Sequence, residues 1–439
     1  MIMLIIAIIL ATFLIVLGMR MMSRPEVILY FIATVVSIVA LNIHLGFTVY
    51  ASRIGLVLIL IAIIVRGAIG VRSALNWHID ARFLILFASS LLVQAVSSIF
   101  AVSVVESFRQ VFINASMMLT FLAVLVLGTN SSIIIKAVKY YLVFAVVQGL
   151  LGIYQVVGAI NGLPMYQDLM VGIPVGNPRN LQGAFWFGSF MPRAFGFLSD
   201  TNHYAAYLVG AMLLSLAIIT WNRKLSYAVL LMGGIGLILS LSRSAILTFV
   251  MVGLPVLIFL RSKFYLKVNW LKPVAVAIGF VFVLSLGMSL AGDRMVEEIN
   301  DSVDILGVLQ TRMSDFVDPD NAVGGSFGVH IMTRLLAIDA WLSSPILGVG
   351  MGLITDPWYS KKYDETWHGA HSHHLDALGQ TGLLGASLEW LFMGLVGVTM
   401  WRGLKCSRRD SQERAVLVGL LAAFVSIILG NLLYHYYSK

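Results

Sequence analysis

Three arginines and a run of histidines are the residues whose types and spacing suit chemistry. Arg193 stands in Pro192-Arg193-Ala194-Phe195-Gly196, followed by Asp200-Thr201-Asn202-His203. Arg243 stands in Ser240-Leu241-Ser242-Arg243-Ser244, and Arg334 precedes Trp341, Pro345, Gly348 and Gly350. His371 lies in Ala370-His371-Ser372-His373-His374-Leu375, which runs into Gly379-Gln380-Thr381-Gly382-Leu383-Leu384-Gly385. A guanidinium offers a rigid fork of donors suited to phosphate oxygens, so the arginines fit an anion site. Each also has a structural alternative. Arg243 can snorkel to a membrane boundary. Arg193 can join an interfacial belt with Phe185, Trp186, Phe187, Phe195 and Phe197. Arg334 can pair with Asp339 or another loop acid.

The histidines His368, His371, His373 and His374 have two chemical readings. As zinc ligands they lack an HExxH or a cysteine pair and fit no metal signature. As base or hydrogen-bond partner of an acceptor hydroxyl, a histidine with an unperturbed pKa near 6.5 is the natural choice. For any one of the four, an ordinary polar helix start is an equal explanation.

The elements that must position these residues are membrane spans. The chain has 439 residues, 59% hydrophobic and 11% charged, against about 25% charged in a soluble domain. So little charge cannot clothe a water-exposed surface. Apolar stretches of about 17–25 residues match the thickness of a hydrocarbon core. They predict an all-α polytopic membrane protein of about twelve transmembrane helices, one membrane domain over residues 1–439. The spans are 2–19, 27–41, 54–71, 83–101, 110–128, 138–160, 203–220, 225–241, 245–261, 272–291, 378–400 and 415–434. The segment Met1 to Met19 reads as a retained membrane helix rather than a cleaved signal peptide. No internal repeat stands out, and the single cysteine, Cys406, excludes an intramolecular disulfide.

Charge orients the spans. One alternating set of loops and span ends carries eighteen of the 29 Lys and Arg, which the positive-inside rule places in the cytoplasm. The net charge of +8 is thus a topology signal more than a nucleic-acid patch. The opposite face holds two long connections, 161–202 and 292–377, the second with 13 of the 21 acidic residues against five Lys or Arg. Within it Ile331, Leu335, Ile338 and Trp341 recur at helical spacing. Ser344-Pro345 and the glycines Gly348, Gly350 and Gly352 then end that helix in a turn-rich stretch. The expectation is a large helical periplasmic loop lying as a lid on the membrane. Arg243 lies in a tight hairpin on this poorly basic face and breaks the pattern. An arginine there needs an anion or a route to the interface.

These motifs resemble the O-antigen ligase and O-antigen polymerase superfamily. Ala370-His371-Ser372 … Leu375 … Leu378 … Gly382-Leu383-Leu384-Gly385 is similar to the family's Ala-His-Asn/Ser motif opening onto a Gly-Leu-Leu-Gly helix. Arg334 … Trp341 … Pro345 … Gly348-Val349-Gly350 looks like its arginine helix and glycine turn. Arg193-Ala194-Phe195-Gly196 with Asp200-Thr201-Asn202, and Leu241-Ser242-Arg243-Ser244, resemble two further motifs, in the family's order from Arg193 to Gly385. Two departures are Gln380, where many members carry an acid, and Ser372 in place of the commoner asparagine.

The resemblance implies a metal-independent, inverting glycosyltransferase without a cofactor, in the bacterial cytoplasmic (inner) membrane with its site on the periplasmic face. The donor is a glycan on undecaprenyl pyrophosphate. The acceptor is the lipid A core for a ligase, or another lipid-linked repeat unit for a polymerase. Arg193, Arg243 and Arg334 would bind the pyrophosphate, with Arg243 and Arg334 also stabilising the charge of the leaving group. His371 would orient or deprotonate the acceptor hydroxyl. A transporter or flippase for a polyprenyl-linked or anionic substrate is the alternative. It predicts ionisable residues at mid-membrane, where the sequence offers Gln94, Asn114, Gln148 and one acid, Glu389. A scaffold for a polysaccharide export complex would leave the arginine and histidine set without purpose.

Overall fold

The structure is a computed structural model. It describes residues 26–35, 42–44, 48–50, 80–127, 131–160, 184–186, 189–191, 193–198, 200–264, 326–352, 372–408 and 411–433. The expected spans 2–19, 54–71 and 272–291, the loop stretches 292–325 and 353–371, and most of 161–192 lie outside the described residues.

Helices dominate. In chain order they are α1 (Glu26–Val35), α2 (Ala81–Ile99), α3 (Val104–Leu127), α4 (Ser131–Ile160) and α5 (Thr201–Ile218). Then follow α6 (Arg223–Leu239), α7 (Arg243–Phe264), α8 (Ser326–Ser343), α9 (His373–Cys406) and α10 (Gln412–Leu433). Two antiparallel hairpins of three-residue strands complete the set. In one, β1 (Asn42–His44) pairs with β2 (Thr48–Tyr50); in the other, β3 (Ala184–Trp186) pairs with β4 (Ser189–Met191). Among the described residues, five helices are long and apolar enough to cross a membrane: Ala81–Ile99, Ser131–Gly158, Thr201–Ile218, His373–Cys406 and Gln412–Leu432. Arg243–Phe264 carries a shorter apolar stretch, Ser244–Phe259, and Pro255 inside it.

Capping side chains fix several starts. Asp80 accepts from the Arg82 amide at α2, Asp200 from the Asn202 and His203 amides at α5, and Asn222 from the Leu225 amide at α6. Hydrogen bonds from the Arg82 side chain hold the Asp80 carboxyl down at about 2, so this cap stays charged.

Helix α5 is apolar around its whole circumference, which suits only a central position. It is buried from Leu208 to Ile218 without interruption. It packs against α4, α6, α7 and α10. Tyr141 of α4 and Tyr207 of α5 cross there, each hydroxyl donating to the other's backbone carbonyl at 3.1 Å. Their rings meet edge to face at 4.8 Å.

Helix α9 is not one rod. Gly382 has φ 64 and ψ −167, which breaks the helix. Yet His373 Nε2 lies 2.5 Å from Glu389 Oε1, and the Trp390 indole N–H donates to His374 Nδ1 at 3.2 Å. In a straight helix residues sixteen apart stand about 24 Å apart. The short arm 373–381 therefore doubles back at Gly382 along the long arm 383–406. The expected span 378–400 covers parts of both arms, because apolar length reports neither the break nor its direction.

Candidate active site

The turn between α6 and α7 is tight. Ser240 and Leu241 donate backbone bonds to Gly236 and Ile238, and Leu241 takes φ 55. That left-handed residue lets α7 start at Arg243 immediately afterwards. The Ser242 hydroxyl donates to Asn202 Oδ1 at 2.8 Å, and Ser240 Oγ accepts from the Ser242 amide. The 193–198 segment hangs on the same turn. Arg193 Nε donates to the Ser240 carbonyl at 2.8 Å and the Ala194 amide to the Leu239 carbonyl at 3.1 Å. A cationic side chain at the end of α6 also suits the negative end of its dipole.

From the other side, two buried glutamines of α4 grip this segment. Gln155 Oε1 accepts from the Phe195 and Gly196 amides, its Nε2 donates to the Gly196 carbonyl at 2.9 Å, and Gln148 Oε1 accepts from the Phe197 amide.

The second assembly joins the glycine turn after α8 to the break in α9. The Trp341 indole donates to the Pro345 carbonyl at 3.1 Å. A continuous α9 would use the carbonyls of Gly379 and Gln380 for the amides of Leu383 and Leu384. Instead those carbonyls accept from Val349 and Gly350, and those amides donate to Pro345 and Ile346. The turn 345–350 thus satisfies these four groups at the break. The contact is backbone on backbone: a Cβ on Gly348 would lie 2.3 Å from Gln380 C, and one on Gly382 2.3 Å from Ile346 O. Gln380 adds its side chain, Oε1 accepting from the Gly352 amide at 2.8 Å, and its carbonyl accepts from Ser97 Oγ of α2.

The two assemblies meet on α10. Helix α10 runs antiparallel to α5: Gly419 packs on Leu214, and Ala423 faces Gly210. A small cavity lined by Ala206, Val209, Thr248, Ser426 and Ile427 marks where α5, α7 and α10 join. About one turn beyond it, at the same level, stand Asn202, Ser244 and Leu432. Arg334 Nη2 of α8 donates to the Leu432 carbonyl at 3.3 Å. His374 lies beside the backbone of Ile428, one turn below Leu432. The positions of Arg193, Arg243 and Arg334 and the start of α9 are therefore gathered at one end of the bundle. His371 and His368 lie outside the described residues, as does the side chain of Arg243. Among the described residues no group of three His, Cys, Asp or Glu side chains is placed to hold a metal ion.

Residues 227–388 match the O-antigen ligase family. The match bears out the superfamily resemblance and takes in Arg243, Arg334 and His371, while Arg193 precedes it. No curated protein matches the chain. Beside this matched segment, the five apolar helices of membrane-crossing length among the described residues agree with a membrane-embedded protein.

Within and beside the matched segment, sequence reasoning named Gln94 and Gln148 only as mid-membrane polar residues and missed what they hold, and it missed Gln155 altogether. Gln148 and Gln155 are seven apart and share one helix face, a signal visible in the sequence. So is the polar stripe Ser90, Gln94, Ser97 and Ser98 on α2. Its Gln94 bridges Ser90 and Asn114 of α3, and Ser98 Oγ accepts from Ser107. The polar residues Gln94, Asn114 and Gln148, on which the transporter alternative drew, are thus bound up in helix and loop contacts. Glu389 is bound to His373.

Proposed function

We propose that this protein is a membrane glycosyltransferase that moves a glycan from undecaprenyl pyrophosphate to an acceptor hydroxyl on the periplasmic face. The acceptor is the lipid A core for a ligase or a second lipid-linked repeat unit for a polymerase. The observation that carries this reading is the O-antigen ligase match over 227–388, which contains Arg243, Arg334 and His371. The gathering of the three arginine positions at one end of α5, α7 and α10 supports it, as does the positive-inside assignment of that end to the periplasm.

In this reading Arg243 and Arg334 neutralise the charge that develops as the pyrophosphate leaves. Arg193 binds the same group and also ties the Ser240 turn in place. His371 orients or deprotonates the acceptor hydroxyl, and a single displacement inverts the anomeric carbon. The bond to the pyrophosphate oxygen breaks, the bond to the acceptor oxygen forms, and the acceptor proton passes to the histidine. Arginines supply the positive charge a metal would otherwise bring, so the reaction is metal-independent.

The test is a surface-polysaccharide gel of a deletion strain complemented with wild type, Arg243→Ala, Arg334→Ala or His371→Ala. Each variant is expected to lose about a hundredfold in transfer, the usual effect of removing one donor to a developing anion. Unattached polymer would mark a ligase and single capped repeats a polymerase. Three variants with wild-type ladders at normal protein levels would overturn the roles and turn attention to transport.

A further inference from the structure

Two adjacent histidines on the short arm of α9 each engage one of two adjacent residues on the long arm. His373 Nε2 meets Glu389 Oε1 at 2.5 Å, and His374 Nδ1 accepts from the Trp390 indole at 3.2 Å. An indole nitrogen only donates, so His374 Nδ1 accepts and a neutral His374 carries its proton on Nε2. Glu389 lies seven residues into the long arm from Gly382, about 10 Å along the helix. A carboxylate so far inside an apolar span is costly without a partner. None of this serves the helical pattern of the long arm: a glutamate and a tryptophan indole are spent on holding the short arm against it. The short arm begins two residues after His371, and two residues of chain reach at most about 7 Å.

We propose that Glu389 and Trp390 are positioning residues for transfer. They lock the first turn of the short arm, the helix start that follows His371 by two residues in the chain, against the span. The break at Gly382 sets the direction of the short arm; the two side-chain rungs set its height and rotation. This rests on the transferase reading above, and His371→Ala in the same series separates the two.

The experiment uses full-length protein purified in detergent and the total lipid extract of the deletion strain, which holds both natural donor and acceptor. Initial rates are measured against extract concentration, alongside melting temperature. Glu389→Ala is expected to lower maximal turnover at least tenfold with half-saturation and melting temperature near wild type. Glu389→Gln, which keeps an oxygen acceptor at the same reach, is expected to restore at least a third of turnover. The double variant His373→Ala/Glu389→Ala is expected to lose no more than the worse single variant, as a pair acting as a unit must. Wild-type turnover in Glu389→Ala, losses that multiply in the double variant, or no rescue by Gln would overturn the proposal. If Glu389→Ala does not accumulate, Trp390→Phe removes only the second rung: severalfold lower turnover at unchanged half-saturation supports the proposal, and wild-type turnover overturns it. Should His371→Ala keep full transfer, the transferase roles fail; should it abolish transfer while Glu389→Ala and Trp390→Phe stay at wild type, only the positioning role fails.

Discussion

The 193–198 segment and the 345–350 turn do similar work by different means. The first hangs from side chains: Gln148 and Gln155 reach out of α4 and Arg193 reaches to the end of α6. The second is backbone against backbone, with four peptide groups of the turn replacing four missing partners in a broken helix. Side-chain suspension leaves room for substitution, because another side chain of the same length and polarity can take over. Backbone contact leaves none, because any Cβ at the interface displaces a peptide.

The comparison breaks most sharply at the glycines. Gly382→Ala or Gly348→Ala puts a methyl 2.3 Å from backbone atoms and demands a positive φ. We expect a destabilisation of at least about 3 kcal/mol and loss of accumulated protein, checked by immunoblot of membranes and detergent melting. A melting temperature within a degree or two of wild type would show that the turn gives way. Next comes Gln155→Ala, which removes three hydrogen bonds and leaves two buried amides without their acceptor. About 2–4 kcal/mol should be lost, with Gln155→Glu intermediate because it keeps the acceptor and loses the donor. Equal effects of Ala and Glu would refute the suspension account. The smallest effect is expected from Gln380→Glu. A carboxylate still accepts from the Gly352 amide, so stability should stay within about 0.5 kcal/mol and transfer near wild type, whereas Gln380→Leu should cost about 1–2 kcal/mol.

Much of the helical framework is legible in the sequence, because apolar length is what a bilayer selects. The expected spans 83–101, 203–220 and 225–241 fall on helices Ala81–Ile99, Thr201–Ile218 and Arg223–Leu239. The helical spacing of Ile331, Leu335, Ile338 and Trp341 falls on Ser326–Ser343. What the sequence conceals is partnership. Pro345–Gly350 and Gly379–Leu384 each read as a glycine-rich turn, and nothing local says that one completes the other. Leu241 gives no hint of its left-handed backbone, since leucine seldom adopts one. Glu389 stands out by charge alone, and its partner is sixteen residues back on an arm that apolar patterning draws as a straight continuation.

The crossed tyrosines of α4 and α5 have a mechanical consequence. Two bonds related by an approximate twofold axis act as a pin through both helices. Sliding α5 along α4 by one turn, about 5.4 Å, would break both at once, in a setting with no water to replace them. Piston travel of α5 is therefore the costly motion, and sideways parting of neighbouring helices the cheap one. Asn202 rides at the head of α5, so the height of the turn it holds is set from the middle of the bundle rather than by the loops around it.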